Sequence, residues 1–175
     1  MYEDIKVEHT EAGIGLVLID RPDRNNAVRA ETLVEICEAL DELNANPSIR
    51  AIVLAAEGRH FVAGADFEFL TGLREMSAVE VKEQIYSSFQ GAARRIYHSD
   101  KPTVAAIQGA AVTVGCELAI ACDFRLCSER AMFQESWIRL GLLPPLGGLF
   151  LLPRIVGLHK ASEMVLQGRA VKAEE

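Results

Sequence analysis

"KPTVAAIQGAAVTVGCELAIACDFRLCSER", residues 101–130, opens and closes on a short apolar run, 101–109 and 123–130. The first run does not alternate polar with apolar, as a strand buried on both faces would read, and Phe124, Leu126 and Cys127 mark the second as a further strand. Residues 109–123 between them are small, apolar and helix-compatible. Strand, helix and strand in this order predict a parallel pair joined by a crossover. The pattern continues outward. "GIGLVLIDRP" (13–22) reads as a buried strand stopped by a proline turn, and "IRAIVLAAEG" (49–58) as another, ended by Gly58. Between them "AETLVEICEALDELNAN" (30–46) has apolar residues at 33, 34, 36, 40 and 43, an amphipathic helix. "GRHFVAGADFEFL" (58–70) is a loop running into a helix whose start carries Asp66 and Glu68. Residues 77–100 predict one long helix, with Ser77 and Glu80 at capping-box spacing. "AMFQESWIRLGLLPPLGG" (131–148) reads as a strand or extended loop and then a turn, and 149–157 and 159–175 as helices. The fold class is α/β with a buried, largely parallel sheet.

A length of 175 residues fits one domain, 1–175, that needs no disulfide or metal staple. Half the residues are hydrophobic and a quarter charged, the balance of a globular protein. A net charge of −7 argues against nucleic acid and anionic membrane as partners. Cys37, Cys116, Cys122 and Cys127 form no CxxC pair and read as free, reduced thiols. The charged start "MYEDIKVEHT" lacks the apolar region of a signal peptide. Gln108, Thr113 and Glu117 interrupt the apolar stretch 102–122 and argue against a membrane span. A cytoplasmic protein is the expectation.

From Pro102 to Cys122 the only carboxylate is Glu117. Burying an unpaired carboxylate costs several kcal/mol or a large pKa shift. Two readings stand here. Glu117 is a capping carboxylate in the first turn of its helix, or an acid–base group whose apolar flanks raise its pKa. The loops "VAGADF" (62–67) and "AAVTVGCE" (110–117) each follow a strand and open a helix, so each offers unpaired backbone N–H groups. They are plain tight turns, or two halves of an oxyanion hole.

Four stretches in combination, "IDRPDRNNAV", "AIVLAAEGRHFVAGADFEFL", "KPTVAAIQGAAVTVGCELAIACDFRLCSERAMF" and "LGLLPPLGGLFLLPRIVG", resemble the crotonase superfamily, the enoyl-CoA hydratase/isomerase family. The resemblance runs from about Ile5 to Glu175. It implies a spiral of ββα units whose C-terminal helices support trimers or dimers of trimers. Those helices would begin where this chain ends, so roughly a third of a usual member is expected to be absent. It implies an acyl-CoA thioester as substrate, with coenzyme A as part of it, no separate cofactor and no metal. The thioester carbonyl would be polarised to an enolate by the N–H groups of Ala65 and Val114. Ala63, Asp66 and Phe67 match the strip that holds adenine and pantetheine. Arg24 and Ala27 match positions near the CoA phosphates, and Gly109 and Trp137 match substrate-side positions. Glu117 matches the first catalytic glutamate of the hydratases.

The chain departs from the family pattern in three places. Thr113 and Val114 stand in a glycine run, and a β-branched residue resists unusual backbone angles. Trp137 stands where hydratases carry their second glutamate, and an indole cannot exchange a proton with carbon. Pro145 stands where some dienoyl isomerases and dehalogenases carry an aspartate. Glu135, two residues before Trp137, would share its face on an extended strand, with a surface or structural role as the plainer reading. His60 and His98 are the remaining titratable candidates, each more simply a loop histidine. The resemblance therefore implies hydratase/isomerase-type enolate chemistry with Glu117 as acid/base. Acyl-CoA hydrolase or decarboxylase chemistry, or a non-catalytic CoA-binding or assembly subunit, are the alternatives. The expected assembly is a homotrimer or hexamer.

Overall fold

The structure, a computed structural model, describes residues 2–72, 75–84 and 88–175. Among the described residues, eight strands form two sheets. The larger has the order β1–β2–β3–β4–β6, with β1 at Ile5–His9, β2 at Ile14–Ile19, β3 at Ala51–Ala56, β4 at Thr103–Ile107 and β6 at Phe124–Cys127. Only the β1–β2 pair is antiparallel; β2, β3, β4 and β6 run parallel. The smaller sheet has the order β5–β7–β8, with β5 at Ala110–Val112, β7 at Met132–Gln134 and β8 at Ala170–Lys172. The helices are α1 (Ala30–Ala45), α2 (Phe67–Gly72), α3 (Ala78–Gln84), α4 (Gln90–Tyr97), α5 (Val114–Ala121), α6 (Gly148–Val156) and α7 (Leu158–Gln167).

The chain repeats one move. It passes up a strand of the large sheet, turns into the small sheet, and returns through helix. β4, β5 and α5 make one such unit, and β6, β7 and α6 the next. The preceding unit starts at β3 and touches the small sheet only through Val62, which bridges Ala111 in parallel. Ala111 in turn pairs with Phe133, so Val62, Ala111 and Phe133 are consecutive rungs. This is the expected ββα spiral. Parallel neighbours in both sheets require a crossover between them, and the helices supply it.

Several boundaries differ from the sequence reading. The strand β1 is missed, because its pattern "IKVEH" is mostly charged and exposed. It is an edge strand that buries Ile5 alone among its residues. Ala110–Val112, read as part of a helix, is β5; three small residues carry no period by which to tell a strand from a helix. Ala170–Lys172, read as the end of a helix, is β8, held antiparallel on β7. The stretch 77–100 is helical at α3 and α4, and Ser77 and Glu80 cap each other reciprocally at 2.8 and 3.3 Å. The single helix expected across it includes residues 85–87, which lie outside the described residues. All four cysteines are free, and only Cys127 is exposed. No helix among the described residues is long and apolar enough to cross a membrane.

Two close approaches set the layer spacing. A Cβ on Gly109, at the turn from β4 to β5, would lie 2.2 Å from the Arg59 carbonyl oxygen. A Cβ on Gly15 would lie 2.6 Å from Leu43 of α1. The first neighbour is backbone and cannot rotate away. Gly109→Ala is therefore expected to destabilise the fold at the upper end of about 1–3 kcal/mol, and Gly15→Ala by less, as the Leu43 side chain can move. Urea unfolding of the two variants checks the order.

Candidate active site

The loops after Val62 and after β5 lie side by side because their strands are adjacent rungs. The Val62 N–H donates to the Ala110 carbonyl (3.0 Å), and the Val112 N–H donates to the Val62 carbonyl (2.8 Å). A Cβ on Gly115 would fall 2.5 Å from the Val62 carbonyl oxygen, and one on Gly64 would fall 2.9 Å from Thr113 Oγ1. Ala65 follows Gly64, and Val114 follows Thr113 as the first residue of α5. The N–H groups of Ala65 and Val114 donate to no acceptor among the described residues. Both predicted donors are thus brought to neighbouring rungs with their hydrogen-bonding capacity unspent.

The first loop is braced from behind by a residue the sequence reading passed over. Asn26 is fully buried with φ 56°, a left-handed conformation that asparagine tolerates. Its Oδ1 accepts from the Arg21 N–H (2.9 Å), and its Nδ2 donates to the carbonyls of Glu57 (2.7 Å) and His60 (2.8 Å). The Val28 N–H donates to the Gly64 carbonyl (2.9 Å), and the Asp66 N–H donates to the Val28 carbonyl (2.8 Å). The dipeptide "NN" at 25–26 was the available signal, since both residues take positive φ.

Glu117, in the first turn of α5, is 1% exposed. Its Oε1 accepts from the N–H groups of Leu146 and Gly148, each at 2.8 Å. Its Oε2 accepts from Trp137 Nε1 at 3.0 Å. A carboxylate has about four acceptor positions, so these three donors leave one free on Oε2. Burial pushes the Glu117 carboxyl up to about 7, against the pull of its three donors. Trp137 is therefore more than an apolar wall: its indole N–H orients the carboxylate. The residue type alone did not reveal this, since an indole becomes a donor to Glu117 only once the two segments are packed.

Glu135 is fully buried, so the surface reading is wrong. Neither of its carboxyl oxygens has a hydrogen-bond partner among the described residues. Burial first, and then the charge of Glu117, pushes it up to about 9. The two carboxyls behave as a pair that keeps a proton at neutral pH.

The other predicted positions fall around the first loop. Asp66 turns inward, capping α2 at the Glu68 N–H (3.0 Å) and pairing with Arg21 (3.3 Å). Ala63 and Ala27 are half-buried, while Phe67 and Arg24 are exposed. Gly109 lies against the Arg59 backbone as described above. His60 Nδ1 accepts from the Ala110 N–H (3.3 Å), a bracing contact, and His98 stacks edge-on against Tyr97 on the surface. Val114 is wholly buried in the core and opens α5, while Thr113 before it takes the unusual torsion, φ 48° and ψ −107°.

The family model described as enoyl-CoA hydratase/isomerase matches residues 9–175. The chain belongs to the enoyl-CoA hydratase/isomerase family. It is 38% identical over 174 residues to 4-chlorobenzoyl coenzyme A dehalogenase-2 of an Arthrobacter species, covering 98% of this chain and 62% of that one. It is 36% identical over 175 residues to crotonyl-CoA hydratase of Syntrophomonas wolfei, covering 99% of this chain and 65% of that one. Among solved structures, an enoyl-CoA hydratase of Bacillus anthracis superposes with a TM-score of 0.90 at 28% identity, covering 98% of this chain and 66% of that one. This chain thus spans just under two thirds of each of these relatives, and they accord with the crotonase-like architecture.

The carboxyl pair makes stability depend on pH. Both groups have an ordinary value of 4.5 and a higher one when folded. The folded state then holds protons that the unfolded chain releases, so stability is complete below about 4.5 and falls as pH rises towards 9. Glu135→Gln removes its own share of that loss, which runs from about 4.5 to about 9. Its unfolding free energy should gain on the parent's at each step from pH 5 to 7 to 9. A gap that stays constant with pH would contradict the burial account.

Proposed function

We propose that the complete protein acts on an acyl-CoA thioester and moves a proton on the acyl chain through an enolate. Ala65 and Val114 would donate to the thioester oxygen, and Glu117 would take and return the proton. The observation that carries this reading is the Glu117 carboxyl itself, buried, raised to about 7 and keeping one unfilled position on Oε2. A base poised near working pH suits proton transfer to and from carbon, a contribution of about 10²–10⁴ in rate. Each aligned backbone donor on the oxyanion would add roughly 2.7–4 kcal/mol.

In this scheme Glu117 removes a proton from the α-carbon of a β,γ-unsaturated acyl thioester; the C–H electron pair forms the double bond to the carbonyl carbon, and the carbonyl π pair moves onto the thioester oxygen. The oxyanion collapses, and the same carboxyl returns the proton to a different carbon. One base is sufficient for that shift of a double bond. Its support is Trp137, which stands where the hydratases' second glutamate would be and gives Glu117 a hydrogen bond rather than a second base. Hydration, which needs an activated water, is the second reading, favoured by the crotonyl-CoA hydratase relative. Other crotonase chemistry is represented by the dehalogenase relative.

An open groove of about 330 Å³ borders the same turn, lined by Gln90, Pro144, Pro145, Leu146 and Phe150 among others. Its apolar walls suit an acyl group. The coenzyme A portion, part of the substrate in this reading, would run past Ala63, Phe67, Ala27 and the exposed guanidinium of Arg24. Ile155, Val156 and Leu158 on α6 and α7 are exposed apolar side chains and support a homotrimeric or hexameric assembly that covers them. A cytoplasmic location completes the reading.

The test is a panel of enoyl-CoA thioesters turned over by the complete gene product. Glu117→Gln should lower kcat by about 10²–10⁴ while leaving binding of acetoacetyl-CoA intact. The parent's rate should climb through about pH 7 as Glu117 ionises, and that limb should vanish in the variant. Unchanged turnover in Glu117→Gln would sink the acid–base assignment.

A further inference from the structure

Thr113 is not accounted for by local preference. Its φ of 48° with ψ −107° is a conformation that glycine adopts freely and a β-branched residue resists. It occupies the N-cap of α5, where a threonine hydroxyl ordinarily accepts from the first helical turn, yet it makes no side-chain cap bond. Strain of this kind persists only where the surroundings impose it, at an expense recovered elsewhere.

The contacts of Thr113 show what imposes it. Its N–H donates to the Gln134 carbonyl at 2.7 Å, which fixes it to the strand on one side. Its carbonyl accepts from the Glu117 N–H at 3.0 Å, which fixes it to the first turn of α5. The residue is only 7% exposed, and its hydroxyl oxygen lies against Gly64 on the other side, 2.9 Å from where a Cβ there would be. Gly64 has φ 121°, so its backbone follows no side-chain constraint of its own. The residue after Gly64 is Ala65, and the residue after Thr113 is Val114. The threonine side chain therefore fills the gap between the two loops that carry the donors.

We infer that Thr113 is a positioning residue: its side chain is a spacer that sets the separation of the Ala65 and Val114 N–H groups, and the strained backbone is the consequence of placing a side chain there. The inference rests on the acyl-CoA reading above. Hydrogen bonds weaken steeply with angle and distance, so a donor pair aimed at one oxygen depends on the gap between its loops. Without the spacer Gly64 is free to close on residue 113, and the Ala65 donor leaves its line.

The spacer and a plain stability role have opposite signatures. Thr113→Gly relieves the backbone and should raise Tm by about 2–4 °C. The same variant should lower kcat at least about tenfold, with KM changed much less. Thr113→Ser keeps the oxygen against Gly64 and should retain most of the parent's kcat. The geometric readout is the carbonyl stretch of bound crotonyl-CoA by difference infrared, taken in a Glu117→Gln background so that the probe does not react. In that background Thr113 and Thr113→Ser should lower the stretch alike, and Thr113→Gly should return it towards the free thioester. Three results would overturn the inference: an undiminished carbonyl shift and kcat in Thr113→Gly, a Tm that falls in that variant, or a serine variant that behaves as the glycine one does. Failure of every variant, the parent included, to bind crotonyl-CoA would instead remove the acyl-CoA reading and this inference with it.

Discussion

The Glu117 carboxylate accepts hydrogen bonds from Trp137, Leu146 and Gly148, three donors from the chain that follows β7. Burying the charge would cost several kcal/mol without partners. The partners exist because the chain after β7 wraps back over α5. That requirement explains the turn "PPLGG". A Cβ on Gly148 would stand 2.9 Å from Glu117 Oε1 and 2.8 Å from Pro144, so the start of α6 reaches the carboxylate only as glycine. Gly147 enters at φ 115° to aim the two N–H groups at one oxygen. One buried charge therefore organises the end of the third ββα unit around the helix of the second.

The second constraint is register. Val62, Ala111 and Phe133 occupy consecutive rungs, so the loops that follow them are stacked at the spacing of neighbouring strands. Each loop leads away from the small sheet towards helix, and each presents backbone at the same edge. The first supplies Ala65, the second Thr113 and Val114, and the third Glu135 and then Trp137. A candidate site whose parts lie more than 70 positions apart in sequence is thereby gathered along one edge. The Asn26 bonds hold the outermost loop against this edge from behind.

Much of this was legible in the residues. Continuous apolar runs gave β2, β3 and β4, the amphipathic period gave α1, and the isolated charge in a small-residue stretch pointed to Glu117. Of the short strands of the second sheet, only β7 was half legible, as a strand or extended loop, and β5 and β8 were read as helix. β5 has three residues, β7 three and β8 three, too few for a period to separate strand from helix. β1 was hidden by its charged, exposed edge. The two β-branched residues in a glycine-like loop marked the place of an unusual torsion but not which of them carries it. The helix begins at Val114, so that residue takes helical geometry and the reversal of direction falls on Thr113.

The sequence by itself determined the α/β class, the order of the principal strands, the family, and the presence of one carboxylate that would need an explanation. Those depend on local period and on residue type, which are properties of short stretches. Only the tertiary structure decided what that carboxylate is bonded to, that Glu135 is buried near enough for their charges to interact, and that Trp137 orients it. Each of these depends on which rungs become neighbours across the small sheet. Neighbours in a parallel sheet are separated by a whole crossover of chain, so no short stretch contains the information that pairs them.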